Sequence, residues 1–492
     1  MYDEQQWILN RIRLTPQKEA LVEIETGRSW TYGQLGKEIS KWRHILCVHS
    51  IEAGDRVCMI SENNIDTFAI LFACGLEGAI FVPFNWRLGE KEIAVLASDC
   101  KPKLCIYEAS FENVASNLSV AYTWKLGKEL AHTPALQEIK TSWQAADPWL
   151  IIYTGGTTGH PKGAVLSFDS VNWNAMNTII SWSLNSTDCT INYMPLFHTG
   201  GINALAIPLL MAGGKVVIGR KFAAETAVRA LDEYDSTISL FVPTMYQEIV
   251  HSSYFSQSNF PSVKVFLSGG APCPKPIYAH FQEKGLLFKE GYGLTEAGPN
   301  NFYIDPIEAL RKGGAVGKSM QFNQVRILKE DGTLCKHEEV GELQLRGRHL
   351  FKEYWQNELA TKDAFDGDWF KTGDLAKMDM DGDVFIVGRK KDIIISGGEN
   401  IYPQEIEQCI IKHPNVKETA VVGTEDDYWG EVVTAFIVCE KMIEGFEAEI
   451  RASCLEHLGK FKIPKKIYFL NELPRTTVGK IDKMKLKQLV VN

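Results

Sequence analysis

Short apolar runs recur along the first three hundred residues, at 56–60, 79–82, 104–107, 215–218, 239–242 and 264–267. Each is strand-length and lacks the polar alternation of a half-buried strand. Separated by amphipathic segments such as 223–234 and 275–284, such runs suit parallel strands covered by helices on both faces. The pattern changes after about residue 310. Apolar pieces at 324–328, 341–346 and 384–387 now flank Glu330-Asp-Gly-Thr333 and Met380-Asp-Gly-Asp383. Asp-Gly between apolar runs marks tight hairpins, so this portion reads as a small antiparallel barrel or sheet. The charged segment Gly388-Arg-Lys-Lys-Asp392 reads as a linker. Beyond it the pattern gives helices at 403–413 and 446–458 and strands at 419–423 and 432–438. The expected architecture is therefore α/β. A large N-terminal lobe at 1–388 holds two α/β layers and a small β-barrel, and a small, mobile α+β domain occupies 389–492.

The length of 492 residues fits this division, since domains run to roughly 100–200 residues each. Charged residues at 23% and aromatics at 11% exclude wholesale disorder. A net charge of −9 argues against a nucleic-acid binder, which would carry a basic footprint. The start, Met1-Tyr-Asp-Glu-Gln-Gln6, has two acids and no apolar core, so no secretory signal is expected. The stretch 67–84 contains Glu77 and Pro83, and 201–214 is shorter than the ~20 residues of a spanning helix. Both are expected to be buried, with no transmembrane segment. The eleven cysteines form no C-x-x-C pair, so neither zinc nor a disulfide framework is expected. Free thiols point to the reducing cytoplasm.

The chemistry begins at Leu150-Ile-Ile-Tyr153, a buried strand running into Thr154-Gly-Gly-Thr-Thr-Gly-His-Pro-Lys-Gly163. Glycines let a backbone approach phosphate closely, threonines add hydroxyls, and Lys162 adds positive charge. This is not a Walker A loop, because Lys162 lies between Pro161 and Gly163 rather than before Ser or Thr. The order of residues resembles the phosphate loop of the acyl-adenylate-forming (AMP-binding) enzymes, among them acyl-CoA synthetases. Gly155 stands where that family usually has Ser.

Four further segments resemble the family in the expected order: Pro195-Leu-Phe-His198-Thr-Gly-Gly201; Ser268-Gly-Gly-Ala-Pro272 with Gly291-Tyr-Gly-Leu-Thr-Glu296; Trp369-Phe-Lys-Thr-Gly-Asp374 with Gly388-Arg389-Lys-Lys391; and Pro474-Arg-Thr-Thr-Val-Gly-Lys480. The resemblance implies that Thr154, Gly155, Gly156, Thr157, Thr158, Gly159 and Lys162 hold the phosphates of ATP. It implies that Gly269, Gly270, Ala271 and Gly293 line the adenine and that Tyr292 stacks on it. Asp374 and Arg389 would hold the ribose, and Thr295 the α-phosphate. Glu296, with the Thr154 hydroxyl, would hold Mg²⁺. His198, Gly200, Gly201 and Gly293 would border the acyl pocket. Lys480 would be the catalytic lysine and Lys391 the hinge. Gly397, Gly398 and Glu399 would line the tunnel for coenzyme A.

So read, the chain is an acid–CoA ligase using ATP, Mg²⁺ and coenzyme A. A carboxylate attacks the α-phosphate to give acyl-AMP and pyrophosphate, and a thiol then displaces AMP. An amino-acid substrate is disfavoured, since His198 cannot pair with an ammonium. The expected acid is a medium- or long-chain fatty acid, with o-succinylbenzoate or an aryl acid as the alternative. Loading of a separate carrier protein, a luciferase-type oxidation and a homodimeric assembly remain compatible. Outside the family, a non-catalytic nucleotide-binding protein is the competing reading, and a P-loop kinase is disfavoured by the absent Walker motif. From Lys460 to Lys487 there are nine Lys and Arg against two acids, a field expected to favour polyanionic substrates.

Overall fold

The computed structural model describes residues 6–129, 143–154, 161–476 and 479–491. One layer of the large lobe is a seven-stranded mixed sheet. In spatial order it runs Glu353–Tyr354, Lys162–Ser167, Pro148–Thr154, Ile80–Pro83, Arg56–Ile60, Leu104–Tyr107, Tyr122–Lys125. The strands from Pro148–Thr154 onward are parallel, and the first two are antiparallel additions. The second layer starts with Ser29–Thr31, Glu19–Glu23, Lys215–Ile218 and Cys189–Asn192. It continues into the parallel trio Ile238–Phe241, Val265–Ser268, Phe288–Glu290. At the join, Ile191 N donates to Ser239 Oγ at 3.2 Å and Thr237 N to the Cys189 carbonyl at 2.8 Å.

Helices Tyr32–Val48, Asp66–Glu77, Phe168–Ser181 and Ala206–Ala212 contribute to one core with Leu21 and Ile218 of one sheet and Phe81 and Ile152 of the other. Asp66–Glu77 is buried throughout 67–76, which explains an apolar run with no polar face. Gly75 is required there: a Cβ would lie 2.6 Å from Trp149 Nε1, which donates to the Leu71 carbonyl at 2.9 Å. Gly78 ends the helix in the left-handed conformation, φ 71°. The apolar stretch at 201–214 lies across two short helices, Thr199–Asn203 and Ala206–Ala212. Among the described residues no helix is long and apolar enough to cross a membrane.

The hairpin-rich portion forms a seven-stranded sheet. Six strands run in the order Phe302–Tyr303, Ala315–Ser319, Val384–Arg389, Trp369–Met378, Gly341–Arg346, Gln324–Leu328, with Phe365–Asp366 paired onto Trp369–Met378. Val384–Arg389 ends in a short turn, Lys390–Asp392, and a separate sheet begins at Ile394. That sheet carries Glu399–Ile401, Ile394–Ser396, Gly430–Cys439 and Val416–Asp426, with Lys466–Phe469 beside Gly430–Cys439. Helices Pro403–Ile410 and Phe446–His457 complete a distinct core of Ile394, Ile406, Val421, Phe446 and Ile450. A core of its own marks this lobe as a unit.

Candidate active site

Loops leaving the carboxyl ends of the parallel trio carry Gly269–Ala271 and the segment 291–296, the place where parallel α/β sheets receive ligands. Gly270 takes φ 82°, and Gly291 N donates to the Ser268 carbonyl at 2.8 Å. Gly293 cannot be replaced without movement, because a Cβ would lie 2.2 Å from the Pro299 carbonyl carbon and oxygen. The Tyr292 ring meets Phe302 edge-on at 5.7 Å, and its hydroxyl donates to Asp374 Oδ2 at 2.5 Å. Asp374 is buried, and its Oδ1 takes the Arg389 Nε at 2.7 Å across adjacent strands. Burial raises the Asp374 pKa against the pull of Arg389. The residues expected at adenine and ribose thus form one connected chain.

The loop residues Gly155, Gly156, Thr157, Thr158 and Gly159 lie outside the described residues. Their roots are a hairpin, Pro148–Thr154 against Lys162–Ser167, with Thr154 opposite Lys162. The Thr154 hydroxyl donates to the Lys162 carbonyl at 3.3 Å. The Lys162 ammonium stands 4.9 Å from the centre of the Tyr354 ring, and the Tyr354 hydroxyl donates to Glu296 Oε1 at 2.9 Å. Phe351 N donates to the Glu296 carbonyl at 2.7 Å, tying down the short turn Thr295–Ala297, in which Thr295 is buried. Glu296 Oε2 accepts no hydrogen bond and Glu296 makes no ion pair among the described residues. A half-buried carboxylate with one open oxygen fits a hard divalent cation that keeps most of its waters. Sequence reasoning missed Tyr354, because a tyrosine in Glu-Tyr-Trp has no chemical signature until the strand pairing places it.

His198 Nδ1 accepts from Gly200 N at 3.1 Å and caps the helix Thr199–Asn203. With Nδ1 as acceptor, the neutral ring carries its proton on Nε2. Burial, assisted by the Lys480 charge, lowers the His198 pKa to about 4, so the ring is neutral near pH 7. Gly200 faces side chains, with a Cβ 3.3 Å from His198 Nδ1 and Met194 Cε. Gly201 is held tightly against backbone. Its Cβ would meet the Pro195 carbonyl oxygen at 2.2 Å, so it serves backbone packing, as Gly293 does. Behind this turn, Asn174 Nδ2 donates to the Asn203 carbonyl at 2.7 Å. The side-chain oxygens of Asn174 and Asn203 are buried without a partner among the described residues, and Asn174 Oδ1 abuts Gly298.

The small lobe delivers Lys480 on a tight turn. Thr476 N donates to the Lys480 carbonyl at 2.7 Å, Gly479 takes φ 83°, and Arg475 anchors the turn to Glu418 at 2.6 Å. The Lys480 charge acts on His198 and Asp374, and Glu296 acts on Lys480. Lys480 is exposed at the edge of the cleft, with protein packed around it. That enclosure, then Arg389, lowers its pKa, although Asp374 and Glu296 pull the other way. Among the described residues the Lys480 ammonium has no hydrogen-bond or ion-pair partner. Lys391 is exposed in the turn Lys390–Asp392. Gly397, Gly398 and Glu399 are exposed around a hairpin turn, where Gly397 N donates to the Trp429 carbonyl at 2.8 Å. Their contacts keep them in the small lobe, apart from the cluster around Glu296. Within that lobe Lys462 pairs with Glu405, Lys483 with Glu407, Lys485 with Asp482 and Lys487 with Glu431.

Residues 9–355 match the AMP-binding enzyme family and residues 405–480 the AMP-binding enzyme C-terminal domain. An indoleacetate–CoA ligase of Aromatoleum aromaticum is 34% identical, covering 99% of this chain and 98% of its own. A long-chain-fatty-acid–CoA ligase of Mycobacterium tuberculosis is 32% identical, covering 98% and 97%. The structure of the o-succinylbenzoate CoA synthetase of Bacillus subtilis with its acyl-adenylate intermediate aligns over 99% of both chains, with a TM-score of 0.90 and 29% identity. The chain belongs to the AMP-binding enzyme family and is an ATP-dependent, AMP-forming acid–CoA ligase that uses Mg²⁺ and coenzyme A.

Proposed function

We propose that the cleft between Tyr292, Glu296, His198 and Lys480 activates a hydrophobic monocarboxylic acid, and that Lys480 is the group on which the first half-reaction turns. The observation that carries this is the Lys480 amine, unpaired among the described residues and held in the field of Asp374 and Glu296 beside a neutral His198.

In the first half a carboxylate oxygen attacks the α-phosphorus of ATP, the bond to the β-phosphate bridging oxygen breaks, and pyrophosphate leaves with that electron pair. Two anions must meet, so the protein's contribution is positioning and charge neutralisation. Lys480 bridges the carboxylate and the α-phosphate. Tyr292 stacks on adenine while its hydroxyl stays on Asp374, which accepts from the ribose hydroxyls beside Arg389. Lys162 and the loop 155–159 hold the departing pyrophosphate. Glu296, with the Thr154 hydroxyl, would hold Mg²⁺, which supplies charge neutralisation at the phosphate oxygens. No protein nucleophile takes part.

In the second half the thiol sulfur of coenzyme A attacks the acyl carbon, AMP leaves, and the thiol proton passes to solvent. Lys480 occupies the approach and must withdraw. The boundary between lobes is placed at 388/389, with Lys391 as the hinge that exchanges Lys480 for Gly397, Gly398 and Glu399.

For the acid, we favour an aromatic or arylalkanoic acid carrying a hydrogen-bond donor over the fatty acid expected from sequence alone. A buried amide oxygen without a donor costs about 1–3 kcal/mol, and a donor on the substrate would recover it at Asn174 or Asn203. The indoleacetate ligase among the relatives supports this reading, and the fatty-acid ligase supports the other. The test is pyrophosphate release and thioester formation with a panel of indolic, phenolic, succinylbenzoyl and C8–C16 alkyl acids. Donor-bearing aromatic acids should show the highest kcat/KM. A tenfold preference for plain alkyl acids would return the fatty-acid reading.

A further inference from the structure

The contact that no motif announces is Tyr354, reached through the added strand Glu353–Tyr354. This strand pairs Tyr354 with Ala164 of Lys162–Ser167, and Trp355 N donates to the Gly163 carbonyl at 2.7 Å, so the tyrosine rides on the hairpin that carries the phosphate loop. Tyr354 N donates to Thr361 Oγ1 at 3.0 Å, and the ring meets Phe351 edge-on at 4.8 Å. With backbone and ring both held, the hydroxyl points to a fixed place, and Glu296 Oε1 is there at 2.9 Å. The face of the same ring lies under the Lys162 ammonium at 4.9 Å. One side chain therefore touches the proposed metal-holding carboxylate through its edge and the proposed pyrophosphate-holding ammonium through its face.

We propose that Tyr354 is a positioning residue that orients the Glu296 carboxylate toward Mg²⁺ with its hydroxyl and seats Lys162 over the leaving pyrophosphate with its ring. The proposal rests on the reading that Glu296 holds the metal. By occupying Oε1, the hydroxyl leaves Oε2 as the open ligand and fixes the plane of the carboxylate. Hydrogen-bond partners that orient a metal ligand are commonly worth 10–100-fold in metal affinity. The ring contributes separately, since a cation over a tyrosine face is attracted to it without a formal charge that would compete for the metal. Two functions on two parts of one side chain can be separated by substitution.

Tyr354→Phe removes the hydroxyl and keeps the ring, Tyr354→Leu removes both, and Glu296→Gln removes the charge of the ligand. Binding of Mn²⁺ to each enzyme with ATP and no acid, followed by electron paramagnetic resonance, reports the metal site without turnover. Pyrophosphate release and thiolysis of supplied acyl-AMP report the two half-reactions, and thermal melting checks folding. Tyr354→Phe should weaken Mn²⁺ about tenfold, with thiolysis unchanged and melting near that of the parent. Tyr354→Leu should do the same and, in addition, slow pyrophosphate release at saturating metal. Weakened Mn²⁺ in Glu296→Gln together with parental Mn²⁺ binding in Tyr354→Phe overturns the role of Tyr354 alone. Parental Mn²⁺ binding in Glu296→Gln overturns the metal assignment and the proposal with it.

Discussion

A lysine ammonium without a carboxylate partner is costly in a cleft, and Lys480 stands beside Arg389 and Lys391 as well. Enclosure and Arg389 lower its pKa from the usual 10.5, while Asp374 and Glu296 limit the fall. The sign of the consequence is fixed. Adenylation needs the charged amine, so its rate should fall as pH rises through a value below 10.5. Thiolysis of acyl-AMP does not need that charge and should show no such fall. Lys480→Arg, where it turns over, should move the alkaline limb of pyrophosphate release upward, because a guanidinium stays charged. Lys480→Ala should slow pyrophosphate release by about 10²–10³-fold, on the order of 2.7–4 kcal/mol for a lost transition-state charge contact, and spare thiolysis. Equal loss of both half-reactions would remove Lys480 from its role. His198 predicts the opposite limb. With a pKa near 4 it should produce no inflection near pH 6.5 in either half-reaction, and a clear one there would mean that the ring titrates in the working range.

The strand Phe288–Glu290 carries the loop 291–296, yet no apolar run marked it. Its central residue, Lys289, is buried between Trp182 at 4.7 Å and Tyr303 at 4.4 Å, and burial lowers its pKa to about 7. Glu290 is also buried, with its pKa raised to about 7 and its carboxylate held by the Tyr278 hydroxyl and Cys273 N. Since the folded pKa of Lys289 lies below the unfolded value, the charged amine favours the unfolded chain. That cost is absent above pH 10.5, grows as pH falls toward 7, and is constant below. Lys289→Met should therefore raise the melting temperature by several degrees at pH 7 and by little at pH 10, at roughly 1.4 kcal/mol per unit of pKa displacement. A lower melting temperature at pH 7 would mean that the aromatic contacts outweigh the burial. This strand also shows what the sequence could not disclose. Parallel strands such as Arg56–Ile60 and Leu104–Tyr107 are legible because both faces are apolar, and Lys215–Ile218 nearly so. A strand that buries Lys and Glu is illegible until its aromatic and hydroxyl partners are in place. The motifs for Tyr292, Glu296, Asp374 and Lys480 stand out because ligand chemistry restricts their residue types. Tyr354, Asn174 and Asn203 do not, since their meaning comes from strands and helices packed far along the chain.

The two lobes meet with Lys480 facing Asp374 and Glu296 while Gly397–Glu399 remain on the small lobe's own hairpin. One arrangement therefore assembles the phosphate chemistry and leaves the proposed thiol-binding turn elsewhere. The chain between the lobes is short: Arg389 is tied to Asp374, Lys390 to Glu342 at 3.0 Å, and Ile394 already belongs to the small sheet. A large rotation must therefore be absorbed by very few backbone torsions, and Lys391 sits exposed in the middle of them. Proline at this position fixes φ near −65° and restrains the preceding residue as well. The turn Lys390–Asp392 is helical, so one arrangement tolerates that φ and the other is denied its change of torsion. Lys391→Pro should leave the first pyrophosphate burst within about threefold of the parent while slowing thioester formation by tenfold or more, with acyl-AMP accumulating on the enzyme. Rapid-quench assays that follow acyl-AMP and thioester separately decide it. Parental thioester formation would place the hinge elsewhere, and loss of the burst would show that the turn serves the adenylating arrangement itself.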